Sequence, residues 1–253
     1  MWMRGAISWH VYQPHDKSRN ASLRLAQSWR RDSNGHIDIR LRYGNSYAAF
    51  IYKLKERNIM RQITLSELRS LAENAKDALN QAAANQGRCI KTYYHWSAGH
   101  YGQFFDDYHL LIDKDGELYT TTEDLSEIKA ATYMRNSGSV AVSLCAAYNS
   151  VLGSSVDLGP EPPTEAQLNK MAQVGAVLCN ALEVPPDIQH VLTHAEAADN
   201  FDGLTTHDPY GPNADCERWD LYVLREGEEG YSGGNNLRGN IVWYQYHPTA
   251  DMQ

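Results

Sequence analysis

Ten histidines, 31 acidic residues and four cysteines are the groups in this 253-residue chain suited to holding a metal or moving a proton. Two histidines stand apart by position. His95 ends an apolar run over residues 89–95, just before the break Ser97-Ala98-Gly99. His194 ends a second run, residues 188–192 and Thr193, just before Ala195-Glu196-Ala197-Ala198. Side chains at the ends of neighbouring strands converge on one rim of a sheet, where sites gather. Two neutral imidazoles with one carboxylate or thiolate make a three-ligand zinc site with a position left for water. The bland alternative is a pair of satisfied structural histidines. Of the others, His10, His15, His36 and His247 lie in polar surroundings and read as exposed, and His100, His109, His190 and His207 stay unassigned.

The elements that must position these residues are legible in part. Thr64-Leu65-Ser66-Glu67 is a capping box, with Leu65, Leu68, Ala72, Ala75, Leu79 and Ala83 at helical spacing behind it and Gly87 to close the helix. Thr164-Glu165-Ala166-Gln167 is a second box, opening an amphipathic helix through Leu182 that Pro185-Pro186 stops. Residues 108–113 and 117–119 flank Asp115-Gly116 as a hairpin. Residues 140–145 read as an apolar strand, and residues 37–43 alternate as a half-buried one. Residues 30–35 read as a turn, residues 47–55 as a short helix and residues 241–244 as a last strand. Strands interleaved with long helices give an α/β class with a mixed central sheet flanked by helices. The expected organisation is an N-terminal extension, 1–87, ending in a helix, then a domain over 88–253.

Composition excludes several classes. Hydrophobic residues make up 42% and charged residues 21%, near globular averages. The balance of 23 basic against 31 acidic residues, a net −8, argues against nucleic acid as the partner. No apolar stretch approaches the ~18 residues of a membrane span. The N-terminus has no continuous apolar h-region, so cytoplasmic synthesis without a signal peptide is expected. Cys89, Cys145, Cys179 and Cys216 form no CxxC pair and are expected as reduced thiols.

Five segments in order resemble the type 2 N-acetylmuramoyl-L-alanine amidases, which include phage lysozyme-type endolysins and peptidoglycan recognition proteins. Tyr94-His95-Trp96-Ser97-Ala98-Gly99, then Tyr108-His109-Leu110-Leu111-Ile112 with Lys114-Asp115-Gly116, resembles their HH-(T/S)-AG and YHF-I-(x)DG run. The stretch from Arg135-Asn136 to Val142 resembles their N…SIGI strand, Thr164 to Gln167 their T-x-x-Q helix start, and His194 to Ala198 their H-x-E-V-A. The resemblance covers residues 88 to 222 and implies a peptidoglycan-recognition, amidase-like fold.

It also implies a zinc hydrolase that cuts the amide between N-acetylmuramic acid and L-alanine of peptidoglycan, with His95 and His194 as ligands. Asp220, in Arg218-Trp219-Asp220, is the choice for third ligand; Cys216 and Asp215 are rivals, and Asp208 a weaker one. The alternative for Asp220 is a helix cap. Zinc acidifies water toward a pKa of ~7 and polarises the amide carbonyl. Tyr108 matches the family tyrosine that orients water or donates a hydrogen bond, and its alternative is a sheet aromatic. Arg218 stands where the family has a catalytic lysine, so only an electrostatic role carries over, because arginine keeps its proton. Ser143 replaces the catalytic glutamate of one branch, which places this chain with the Tyr-type branch. Arg135 and Asn136 fall on the loop where relatives contact the muramyl peptide. The alternative function is a non-catalytic peptidoglycan binder of the same fold. The protein would act on the wall after release by a holin or export by a secretion system, as in endolysin- or toxin-like lysis, with any immunity or export partner unassigned.

Overall fold

The computed structural model describes residues 60–205 and 218–252 in full, and the backbone alone of residues 27–31, 37–43 and 46–52. The chain divides into two compact units, Met1–Arg57 and Asn58–Gln253. In the first, β1 (Gln27–Arg31), β2 (Ile37–Tyr43) and β3 (Ser46–Tyr52) form an antiparallel sheet in that order. The helix expected at residues 47–55 is therefore a strand over most of its length. A nine-residue helix is marginal on its own, whereas Tyr47, Phe50, Ile51 and Tyr52 suit a strand and β2 offers an edge to pair with. Residues 32–35 of the expected turn lie outside the described residues.

The second unit runs β4 (Arg61–Gln62), α1 (Leu65–Ala84), β5 (Lys91–Trp96), β6 (Leu110–Ile112), β7 (Leu118–Thr120), β8 (Ser139–Leu144), β9 (Val151–Leu152), β10 (Val156–Asp157) and α2 (Glu165–Leu182). It continues through β11 (Val191–Thr193), α3 (His194–Ala198) and α4 (Ser232–Tyr246) to a 3-10 turn at Ala250–Met252. The central sheet has six strands in the order β11-β5-β8-β6-β7-β4. Its first four strands are parallel, and the β6–β7 hairpin and β4 are antiparallel, so the sheet is mixed as the sequence predicts.

Both expected capping boxes form. Glu67 N–H donates to Thr64 Oγ1 at 3.1 Å while Thr64 N–H donates to Glu67 Oε2 at 2.8 Å. Thr164 and Gln167 repeat the pattern at α2. Each cap satisfies helix-end donors that would otherwise be orphaned and contributes about 1 kcal/mol. The leucines of α1 then pack with α2 on one face of the sheet, where Tyr94, Trp96, Val140, Val142 and Leu144 complete the core. Each buried leucine adds roughly 1.5–3 kcal/mol. Because α1 belongs to this core, the boundary expected at residue 87 lies inside the second unit.

Strand alternation sends Tyr93 and His95 to the opposite face, where Tyr93 packs with Leu192 and Ala197. Residues 241–244, expected as a strand, belong instead to α4. A short apolar run does not by itself distinguish the two states. Here Leu237 and Ile241, one helical turn apart, are buried, while Val242, Trp243 and Tyr246 face outward. Gly175 of α2 lets Ile241 close in, since a side chain there would collide with it.

Candidate metal centre

Strand register brings the two histidines together. β11 and β5 pair in parallel with Thr193 opposite Tyr94, so the next residues along the chain are His194, which opens α3, and His95, still on β5. Thr193 also caps α3, accepting from Glu196 N–H, which turns the chain sharply at His194. Asp220 arrives from the far end of the sequence. Its backbone carbonyl accepts from Ala195 N–H at 3.3 Å, filling one of the open donors of the α3 first turn. Trp219 packs edge-on against Trp96, ring centroids 4.8 Å apart, and pins that segment beside His95. Leu221, next in sequence, is held at φ 57, a conformation few non-glycine residues adopt.

The three side chains converge closely. His95 Nδ1 lies 3.1 Å from His194 Nδ1 and 3.1 Å from Asp220 Oδ2, and His194 Nδ1 lies 3.0 Å from the same oxygen. His95 and Asp220 are buried, while His194 keeps 13% of its side-chain surface, so the cluster meets solvent on the His194 side. Burial, with the neighbouring His194 adding to it, pushes the His95 imidazole down to about 4, and Asp220 opposes this only in part. The ring is therefore neutral at pH 7, the form that ligates metals. Burial works to raise the Asp220 carboxyl, but the two imidazoles outweigh it and hold the group at about 2, an anion.

This donor set fits a divalent cation. A neutral imidazole carries one ring proton, so protons cannot satisfy all three mutual contacts among two Nδ1 atoms and a carboxylate oxygen. Atoms 3.0–3.1 Å apart form a triangle whose centre is about 1.8 Å from each, so a point just off its plane stands about 2 Å from all three, the bond length of zinc to imidazole and carboxylate. The remaining nitrogen of His95, Nε2, faces Thr132 Oγ1 at 3.2 Å.

A family model described as N-acetylmuramoyl-L-alanine amidase matches residues 58–211, more than half of the chain. The chain belongs to that amidase family. Its fold is the α/β, mixed-sheet architecture described above, and its family activity is peptidoglycan amide hydrolysis. No curated protein and no solved structure matches the chain significantly. The matched segment holds His95 and His194 and ends before Asp220, which the fold brings alongside them.

The other residues singled out by sequence fall as follows. Tyr108 is half-buried with its ring tilted against His95, centroids 5.2 Å apart. Arg218 is half-buried two residues before Asp220. Ser143 is buried on β8 directly opposite His95 in register. Arg135, expected on a substrate-contacting loop, is instead fully buried and paired with Asp202 at 2.8 Å. His109 is structural: Nδ1 accepts from Ala141 N–H at 3.0 Å and Nε2–H donates to the Glu127 carbonyl at 2.7 Å. His100 pairs with Glu161 and His190 with Asp187, and His247 is exposed as expected. His10, His15, His36, His207, Asp208, Asp215 and Cys216 lie outside the described residues. Cys89, Cys145 and Cys179 are free thiols, and burial pushes Cys145 and Cys179 up to about 12. Thr132 was not visible as a site residue in sequence, since it lies in an irregular stretch with no periodic or motif signal. Among the described residues, no helix is long and apolar enough to cross a membrane.

Proposed function

We propose that this chain is a zinc-dependent amidase that cleaves the bond between N-acetylmuramic acid and L-alanine of peptidoglycan in an endolysin- or toxin-like lytic role. His95, His194 and Asp220 hold the ion. The observation that carries this reading is the triangle of two Nδ1 atoms and one carboxylate oxygen with 3.0–3.1 Å sides. When bound, zinc supplies Lewis-acid polarisation of the scissile carbonyl and lowers the pKa of water toward ~7.

The chain's own groups do the rest. Asp220 contributes a full negative charge, and imidazoles that ligate a metal do so in the neutral form, so the loaded site would keep a net positive charge toward the substrate carbonyl. Burial of His95 and Asp220 strengthens these electrostatic interactions by excluding bulk water. The Tyr108 phenol orients water or donates a hydrogen bond toward the developing oxyanion, supported by its ring contact with His95. Arg218 offsets that negative charge without exchanging its own proton. The substrate sets the place of action at the cell wall, reached by release or export.

The test is release of new N-terminal L-alanine from purified cell walls, with zinc content measured on the same samples. Zinc-loaded protein is expected to release it; chelator-stripped protein and Asp220→Ala are expected to release none and to carry less zinc. Zinc-loaded protein that binds walls without releasing L-alanine, beside an active control amidase, would make the chain a binder of the same fold.

A further inference from the structure

We propose that Thr132 is the positioning residue of the metal centre, holding His95 in the tautomer whose Nδ1 lone pair faces His194 and Asp220. This rests on the zinc reading above and assigns a role to a residue that touches neither substrate nor ion. The two nitrogens of an imidazole are not equivalent, and the partner of one decides what the other offers. Nε2 of His95 has Thr132 Oγ1 at 3.2 Å, and both side chains are buried, 0% and 3% exposed. A hydroxyl oxygen that accepts the Nε2–H leaves Nδ1 as an acceptor, which is the form a cation needs. A histidine ligand with no partner on its second nitrogen would divide itself between two tautomers and rotate more freely.

Thr132 is itself fixed. Its backbone N–H donates to Asn136 Oδ1 at 2.7 Å, and its carbonyl accepts from Arg135 N–H at 3.0 Å. Between them, Met134 sits at φ 58. The tight loop is anchored by Arg135, which forks onto Asp202: Nε to Oδ2 at 2.8 Å and Nη2 to Oδ1 at 3.0 Å. Nη2 also donates to Asn200 Oδ1 at 2.9 Å. Asp202 Oδ2 accepts in turn from Tyr93 Oη at 3.1 Å, two residues before His95. One buried ion pair thus ties together three segments: the loop bearing Thr132, the strand bearing His95, and the chain just after the helix that begins at His194. Arg135 belongs to the frame that sets the spacing of the two histidines.

The experiment measures zinc affinity by chelator competition on the full-length protein, for wild type, Thr132→Val and Thr132→Ser. Thr132→Val keeps shape but removes the acceptor, and its Kd for zinc is expected to rise 10–100-fold at unchanged 1:1 stoichiometry. Thr132→Ser keeps the hydroxyl and is expected to stay within about threefold of wild type on the same scale. Melting of the zinc-stripped proteins separates this from loss of folding. A Thr132→Val affinity within twofold of wild type, with wild type binding tightly, overturns the positioning role alone. Wild type that takes up no zinc overturns the zinc reading and this role with it. Should Thr132→Val fail to fold, imidazole nitrogen NMR of zinc-loaded wild type decides: Nε2–H on His95 supports the proposal, and Nδ1–H overturns it.

Discussion

Arg238 of α4 forks onto Glu196 of α3, with Nη1 2.9 Å from Oε2 and Nη2 2.8 Å from Oε1, both side chains buried. The same carboxylate closes the α3 capping box by accepting from Thr193 N–H at 3.0 Å. Glu196 stands two residues after His194, inside the segment that resembles the family's histidine motif, yet its partners are structural. It fixes the turn on which His194 sits and fastens α4 behind it.

Removing that carboxylate strands a buried guanidinium. Glu196→Ala is expected to lower unfolding free energy by about 3–5 kcal/mol, the cost of breaking a buried pair from one side. Urea denaturation at fixed zinc measures it; a loss below about 1 kcal/mol, in the range of an exposed pair, contradicts the assignment.

Acid should destabilise the fold through His109. Burial holds this imidazole down to about 4, against 6.5 for a free histidine. Between those values the unfolded chain binds the extra proton, so stability is complete above pH 6.5 and is lost as pH falls toward 4. The contribution is about 3 kcal/mol at most. His109→Gln, whose amide can replace both hydrogen bonds, is expected to flatten the stability profile over this window. His95 titrates in the same direction, so part of the slope remains.

Gly138 precedes β8 at φ 70, and a side chain there would collide with the Ala83 backbone of α1. Backbone atoms cannot swing away as a flexible side chain does. Gly138→Ala combines left-handed strain with overpacking and is expected to cost about 3 kcal/mol. Thermal melting reads it, and an unchanged Tm would show that the loop carrying Thr132 is looser than its contacts imply.

Tyr108 and Arg218 separate by kinetics. Tyr108→Phe preserves the ring against His95 and removes only the hydroxyl, so kcat is expected to fall about 10²-fold or more with zinc content unchanged. Arg218→Ala is expected to fall by a similar factor, with Arg218→Lys recovering part of the loss because charge is retained. A Tyr108→Phe enzyme of full activity would leave Tyr108 as packing for His95.

Local chemistry was legible before folding. Thr64 with Glu67 and Thr164 with Gln167 announce α1 and α2, and Asp115-Gly116 announces the hairpin, because caps and turns are settled within four residues. His95 and His194 could be singled out as strand-end residues, although not shown to meet. Their meeting depends on β11 pairing with β5 in one register rather than another, and Asp220 joins across 125 residues of sequence. That step needs the Trp96–Trp219 contact and a helix end seeking an acceptor, neither of which a sequence pattern encodes. The burial of Arg135, the helical state of residues 241–244 and the hydroxyl of Thr132 behind His95 are likewise decisions of packing. Short-range hydrogen bonds are written in neighbouring residue types, whereas which distant surfaces exclude water together is fixed only when the whole core closes.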